Sequence, residues 1–200
     1  MQHYFIDKEH SSEDYFDFTD NLFGYNITFK SCDSVFSKNC VDYGTKVLLG
    51  AIINQIDIKG DVLDIGCGYG VIGIVLSRIF DDVSIDMCDI NNTAVNLSKN
   101  NVMINHCIGI NSVFYSDAYS EVKKCDYDFI VSNPPIKAGK ENLLKVLLGA
   151  YEHLKKNGQL LFVIKKKHGE DSIKKQLATV FESVEVIKRD SGYYILRCIK

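Results

Sequence analysis

From Lys59 onward the chain switches repeatedly between two periodicities. Short runs of Val, Ile and Phe, closed by polar or glycine-bearing turns, alternate with stretches whose apolar residues recur at helical spacing. Strands separated by helices are joined by crossovers, which set neighbouring strands parallel and lay the helices over the sheet. The pattern predicts strands at 62–65, 83–88, 110–115, 129–132, 160–164, 184–187 and 193–198. Helices are expected at 43–56, at 71–80, from Asn91 or Asn92 onward, at 141–156 and at 171–181. In the third of these Ala94, Leu97, Asn101 and Ile104 share one face, and in the fourth Leu143, Leu144, Leu147, Tyr151 and Leu154 are the expected core residues. Lys155, Lys156 and Gly158 form a helix stop. Ser191 and Gly192 turn the last two strands back on each other. The expected fold is α/β: a Rossmann-like, seven-stranded, mostly parallel sheet with helices on both faces and an antiparallel last strand.

The first 58 residues follow a different rule. Short strands at 26–29 and 35–36 around a polar turn at 31–34 predict an N-terminal β-hairpin, and 43–56 an amphipathic lead-in helix. Residues 1–58 are therefore expected as an extension packed on a core at 59–200. There is no repeat or low-complexity segment, and the two prolines sit in one motif, so nothing divides the chain. Two hundred residues of which 46% are hydrophobic suffice for one buried core. The apolar runs at 71–76 and 47–53 fall short of the roughly 18 residues a membrane span needs, so no membrane association is expected. Asp7, Glu9, Glu13, Asp14 and Asp17 occupy the place of a secretory h-region, and the expected location is the cytoplasm.

Seven cysteines, an odd number without a C-x-x-C pair, read as reduced thiols, and the five scattered histidines form no ligand pattern, so no metal is expected. Charge is unevenly placed. Residues 1–100 hold 7 basic against 15 acidic side chains, residues 101–200 hold 16 against 11, and the net is −3. The basic half suits an anionic partner, although a solvated helix face accounts for the same feature.

Chemistry concentrates in two loops. Asp64-Ile65-Gly66-Cys67-Gly68-Tyr69-Gly70, followed by Gly73, stands where a strand turns into a helix. Glycines there let the backbone double back against a ligand, and the helix start offers free N–H groups. Asp89, at the end of the next strand and 23 residues after Gly66, is placed to accept hydrogen bonds from both hydroxyls of a ribose. Gly68-x-Gly70-x-x-Gly73 also fits a dinucleotide fingerprint, so a nicotinamide oxidoreductase stays open on this loop alone. The second loop is Asn133-Pro134-Pro135-Ile136, directly after the strand ending at Ser132. Two prolines forbid continuation of helix or sheet and stiffen a loop at a strand's carboxyl end. The Asn133 carboxamide oxygen, with a neighbouring backbone carbonyl, can accept hydrogen bonds from a planar –NH2 and turn its lone pair toward a methyl donor.

Together these motifs resemble the class I S-adenosylmethionine-dependent methyltransferases, specifically the small-domain group related to the guanine-N2 methyltransferases of small-subunit ribosomal RNA. Val35-Phe36-Ser37-Lys38 with Asp42-Tyr43-Gly44-Thr45 is similar to that group's segment upstream of the glycine motif, and 164–169 with Gly192-Tyr193 to the tail of its short members. The resemblance implies that Gly66, Gly68 and Gly70 line the methionine part of S-adenosyl-L-methionine, with Asp64 supporting the loop. It implies that Asp89 holds the ribose with Ile90 against the adenine. Asp117, followed by Ala118, matches the acidic position facing the adenine amino group, a helix N-cap being its alternative. Where many amino-methyltransferases carry an aromatic, this chain has Ile136, so stacking on the target falls to Phe36 or gives way to apolar contact. Lys137, Lys165, Lys166 and Lys167 are the candidate phosphate contacts. The implied reaction is methyl transfer to guanine N2 of small-subunit ribosomal RNA, as naked RNA or in a ribosomal particle. The same N-P-P chemistry on a protein glutamine or a DNA base, and a non-catalytic ribosome assembly factor, are the alternatives.

Overall fold

The computed structural model describes residues 15–200 except 34, 36–38, 136–138 and 167–168. An antiparallel hairpin, β1 (Tyr15–Leu22) and β2 (Tyr25–Cys32), precedes α1 (Tyr43–Gln55). The core follows as β3 (Gly60–Ile65), α2 (Val71–Ile79), β4 (Val83–Asp89), α3 (Asn92–Ile104), β5 (Ile110–Tyr115), β6 (Tyr127–Ser132), α4 (Lys140–His153), β7 (Leu154–Lys165), α5 (Glu170–Leu177), β8 (Ser183–Asp190) and β9 (Tyr193–Ile199). Seven strands form one sheet in the order β5-β4-β3-β6-β7-β9-β8. The pairs from β5 through β7 are parallel, and β9 runs antiparallel to both its neighbours. The predicted architecture is therefore present, with β9 last in the chain but inside the sheet and β8 at its edge.

Strand alternation divides the core into two layers. Val62 of β3 faces Leu48, Ile52, Ile74 and Leu97 of the helices on one side, whereas Leu63 and Ile65 join Leu143, Leu147, Ile173 and Leu177 on the other. From β3 the chain runs outward to β4 and β5, then crosses back to β6. The carboxyl ends of β3 and β6 thus flank the switch point of the sheet, where open α/β folds leave a crevice.

The hairpin departs from expectation. Residues 26–29 lie inside β2, and their partner is β1 rather than 35–36; Ser31 is buried in β2, not in a turn, and Val35 belongs to no strand. The turn is Phe23-Gly24, both left-handed at φ 54° and 91°, the geometry of a two-residue hairpin loop. β1 was hidden because its solvent face carries Asp17, Thr19 and Asn21, so its half-buried Phe16 and Phe18 sit in what reads as acidic coil.

The hairpin docks on α3 through two carboxamides. Asn101 accepts from the Lys30 N–H (2.7 Å) and donates to the Lys30 carbonyl (2.9 Å). Asn105 repeats the pattern on Thr28, at 3.1 and 2.8 Å. Each side chain stands in for one residue of a neighbouring strand. Phe18 and Phe29 add an apolar contact, meeting Tyr69 of the glycine turn with ring centroids 6.0 and 5.4 Å apart.

Three helix details also differ. Ile104 is 42% exposed although its predicted face is buried at Ala94, Leu97 and Asn101. α4 ends at His153, because Leu154 pairs with Tyr127 and the chain is already strand through the Lys155-Lys156 that read as a helix stop. α5 ends at Leu177, and Phe181 is buried beyond it. Among the described residues no helix is long and apolar enough to cross a membrane. All seven cysteines are free thiols, with Cys40 and Cys125 exposed. No group of three or more His, Cys, Asp or Glu among the described residues is placed to hold a metal ion.

Candidate functional site

The turn from β3 to α2 depends on backbone that L-residues adopt at a cost: Gly66, Gly68 and Gly70 have φ of 73°, 59° and 98°. Their surroundings separate them. A Cβ on Gly66 or Gly68 would meet nothing within 4 Å, so these two border open space. A Cβ on Gly70 would lie 3.0 Å from Met87 and from Ser98, and one on Gly73 2.6 Å from the Met87 sulfur. Gly70 and Gly73 let α2 approach β4, whereas Gly66 and Gly68 have open space where a side chain would stand.

Side chains from several elements fix this turn. Asp64 is fully buried; its Oδ2 accepts the Gly73 N–H at 3.0 Å, and its Oδ1 has no partner among the described residues. Burial, opposed by the Gly73 N–H and aided by the Asp89 carboxylate, pushes its pKa up to about 7. Asp89, 2% exposed, accepts the Gly68 N–H through Oδ2 and the Asn91 N–H through Oδ1, both at 2.9 Å. One carboxylate therefore ties the glycine turn to the start of α3, whose cap is Asn91. From α3, Ser98 donates to the Gly68 carbonyl (2.8 Å) and Asn101 to the Tyr69 carbonyl (2.8 Å). These contacts together fix the shape of the turn.

Asn133 lies across the switch point. Asp64 pairs with Val131 in the β3–β6 register, so the residues two further on, Gly66 and Asn133, leave the sheet at the same level. Ser132 donates to the Ile65 carbonyl at 2.8 Å, joining the two strand ends. Pro134 is buried and Pro135 half-buried. The Asn133 amide donates from Nδ2 to Thr45 Oγ1 (2.8 Å) and to Asp42 Oδ2 (3.2 Å). A carboxylate only accepts, so the nitrogen end must face it. Oδ1 is thereby turned away, and no donor among the described residues reaches it.

The other candidates fall at the same edge or outside view. Ile90 follows Asp89 and is half-buried. Asp117 stands two residues past Tyr115, the partner of Asp89, and its carboxylate takes an ion pair from Lys145 at 2.8 Å. The turn there is organised by Ser116, whose hydroxyl donates to the Ala118 carbonyl and accepts from Glu121 N–H, with Ala118 left-handed at φ 51°. Lys165 lies 4.6 Å over the Tyr193 ring, and Tyr193 first and then Asp42 hold its ammonium above the ordinary lysine pKa. Lys166 is exposed. Phe36, Ile136, Lys137 and Lys167 lie outside the described residues. Sequence reasoning gave no role to Asp42 and Thr45. Their one local signal is an Asp three residues before a Thr at the start of an apolar helix, a capping pattern that does not reveal the distant partner.

The arrangement offers an open glycine cradle, an orphaned buried acceptor in Asp64, and a carboxylate at the end of the next strand. Those donors and acceptors suit a nucleoside carrying a charged amino-acid tail, so the residues present fit the cofactor that the motifs imply. Comparison with known proteins bears on this. The family model for the methyltransferase small domain matches residues 26–197. Among curated proteins the chain is 36% identical to the uncharacterized protein YbxB of Bacillus subtilis, covering 100% of this chain and 98% of that one. It is 37% identical to ribosomal RNA small subunit methyltransferase C of Vibrio parahaemolyticus, over 78% of this chain and 46% of the relative. The chain thus spans about half the length of the curated methyltransferases it matches. Among solved structures, the 16S rRNA N2 G1207 methyltransferase of T. thermophilus, in complex with AdoMet and guanosine, aligns with a TM-score of 0.82 at 22% identity, over 93% of this chain and 50% of that one.

Proposed function

Because the chain belongs to the methyltransferase small-domain family, we propose that it is an S-adenosylmethionine-dependent N-methyltransferase acting on guanine N2 of small-subunit ribosomal RNA. The observation that carries this reading is the pinned Asn133 amide: the residue leaves β6 level with Gly66, and no donor among the described residues reaches its Oδ1. An exocyclic –NH2 needs an acceptor that holds its hydrogens and leaves the nitrogen lone pair directed at the donor. Support for ribosomal RNA as substrate comes from the names of the curated relatives, and support for guanine N2 from the T. thermophilus enzyme, a 16S rRNA N2 G1207 methyltransferase in complex with guanosine.

The cofactor supplies a methyl group activated by a sulfonium charge. The chain's own task is then to bind, align and exclude water. Gly66 and Gly68 admit the cofactor's backbone-hugging portion. Asp89 would hold the ribose, Ile90 would lie against the adenine and Asp117 would meet its amino group. Asn133 orients the target nitrogen and removes no proton itself; the proton that this nitrogen sheds on becoming a secondary amine would pass to solvent. A paired guanine cannot reach a pocket at a strand end, so the base enters unpaired or flipped out. Lys137, Lys166 and Lys167 remain the proposed phosphate contacts, of which Lys166 is exposed.

The test is Asn133→Ala. S-adenosylmethionine affinity by calorimetry should stay within about threefold, while single-turnover methylation of small-subunit ribosomal RNA falls about 10²–10³-fold, the usual loss for one preorganised polar group at a reacting centre. A wild-type rate would remove Asn133 from the chemistry and with it this reading.

A further inference from the structure

We propose that Asp42 and Thr45, at the start of α1, are positioning residues that decide which end of the Asn133 amide faces the substrate; this rests on the function proposed above. A carboxamide has two ends of nearly equal shape and opposite hydrogen-bonding character. With its –NH2 toward the crevice, Asn133 would set donor against donor and repel an exocyclic amine. A stiff Pro-Pro loop fixes where the side chain starts but not which way its amide is turned.

The selection comes from α1, 88 and 91 residues away in sequence. Thr45, 6% exposed, accepts from Nδ2 at 2.8 Å. Asp42 Oδ2 accepts from the same nitrogen at 3.2 Å and from the Thr45 N–H, also at 3.2 Å. The helix cap and the amide clamp are therefore one oxygen. Gly44 makes the arrangement possible: a Cβ there would lie 2.6 Å from the Tyr193 ring and 2.9 Å from that Asp42 oxygen. The absence of a side chain lets Tyr193 pack against the first turn and leaves the Asp42 carboxylate where Asn133 meets it. The lead-in helix thus supplies the polarity of the catalytic amide, and the glycine turn supplies none of it.

The experiment uses the full chain and the variants Thr45→Val, Thr45→Ser and Asp42→Asn, each also combined with Asn133→Ala. Single-turnover methylation of small-subunit ribosomal RNA and calorimetric S-adenosylmethionine affinity are measured for all. Thr45→Val keeps the shape and the Asp42 cap but removes one acceptor; Asp42→Asn allows the donor and acceptor ends to exchange. Each should slow methylation about tenfold, with cofactor affinity within about threefold, the size of one lost charged or buried hydrogen bond in orientation. Thr45→Ser should recover most of the rate. In the Asn133→Ala background the same changes should cost less than about twofold, since no amide remains to be turned. Equal losses in both backgrounds would mean that α1 acts through packing and would overturn the inference. So would a wild-type rate for Thr45→Val when Asn133→Ala is slow, which leaves the proposed function standing. A wild-type rate for Asn133→Ala itself overturns both. If Asp42→Asn unfolds the helix start, Thr45→Val with its serine counterpart decides.

Discussion

Asn101 holds two parts of the molecule that are far apart in sequence, and removing it should damage both. Its side chain is fully buried and makes three hydrogen bonds: from Lys30 N–H at 2.7 Å, to Lys30 carbonyl at 2.9 Å and to Tyr69 carbonyl at 2.8 Å. Asn101→Ala strands three backbone groups. At about 1 kcal/mol for each bond the loss is about 3 kcal/mol, with more if water fails to replace the amide. For a chain of this size that lowers Tm by roughly 6–12 °C. Asn105→Ala is the comparison, because Asn105 holds Thr28 in the same way but makes no bond to the glycine turn. Both variants should melt lower by thermal denaturation. Only Asn101→Ala should also weaken S-adenosylmethionine binding, by about threefold to tenfold, because the Tyr69 carbonyl loses its anchor. Equal cofactor affinities for the two variants would refute the coupling of hairpin to cradle, and an unchanged Tm for Asn101→Ala would refute the docking account.

The two glycine classes should respond differently to alanine. Gly73→Ala drives a Cβ toward the Met87 sulfur and should cost about 1–3 kcal/mol in denaturant unfolding, with cofactor affinity little changed. Gly68→Ala enters open space at φ 59° and should cost about 1–2 kcal/mol of stability, yet weaken S-adenosylmethionine binding more than about tenfold by filling the cradle; the reverse ranking in calorimetry would contradict the separation. Asp64 predicts a pH dependence. Its folded pKa of about 7 lies above the ordinary 3.8, so between those values the folded protein holds the extra proton, and its contribution to stability falls as pH rises through that window, the full cost being present above about 7. Asp64→Asn should therefore flatten the decline in Tm between pH 5 and pH 7.5, pH values set at roughly the edges of that window, whereas an identical slope would mean that Asp64 does not carry the proton.

Both loops at the switch point were legible because their chemistry is local. Glycines at 66 and 68 and prolines at 134 and 135 restrict their own backbone, and Asp89 ends a strand whose apolar run is plain. The parallel strands could be read for the same reason. What stayed hidden depends on partners far along the chain. β1 reads as acidic coil until the hairpin is seen lying on Asn101 and Asn105, 71 and 77 residues beyond the β2 residues they hold. The end of α4 is set by the pairing of Leu154 with Tyr127, against a Lys-Lys-x-Gly signal that pointed three residues later. The roles of Gly70 and Gly73 needed Met87 in view, since the spacing alone also suits a dinucleotide turn. Asp42 and Thr45 could be named but not connected to Asn133, because a capping pattern carries no information about which distant loop passes over it.

The proposed reaction is methyl transfer to guanine N2 of ribosomal RNA, with the cofactor on the glycine cradle and the target amine on a polarised Asn133. It is tested most directly by incubating the protein with methyl-labelled S-adenosylmethionine and unmodified small-subunit ribosomal RNA, free and in assembled particles, then digesting to nucleosides and separating them by mass spectrometry. Label is expected in N2-methylguanosine from at least one of the two substrates, and should be lost with Asn133→Ala. Label in N6-methyladenosine, or none in either substrate while the protein binds S-adenosylmethionine, would contradict it.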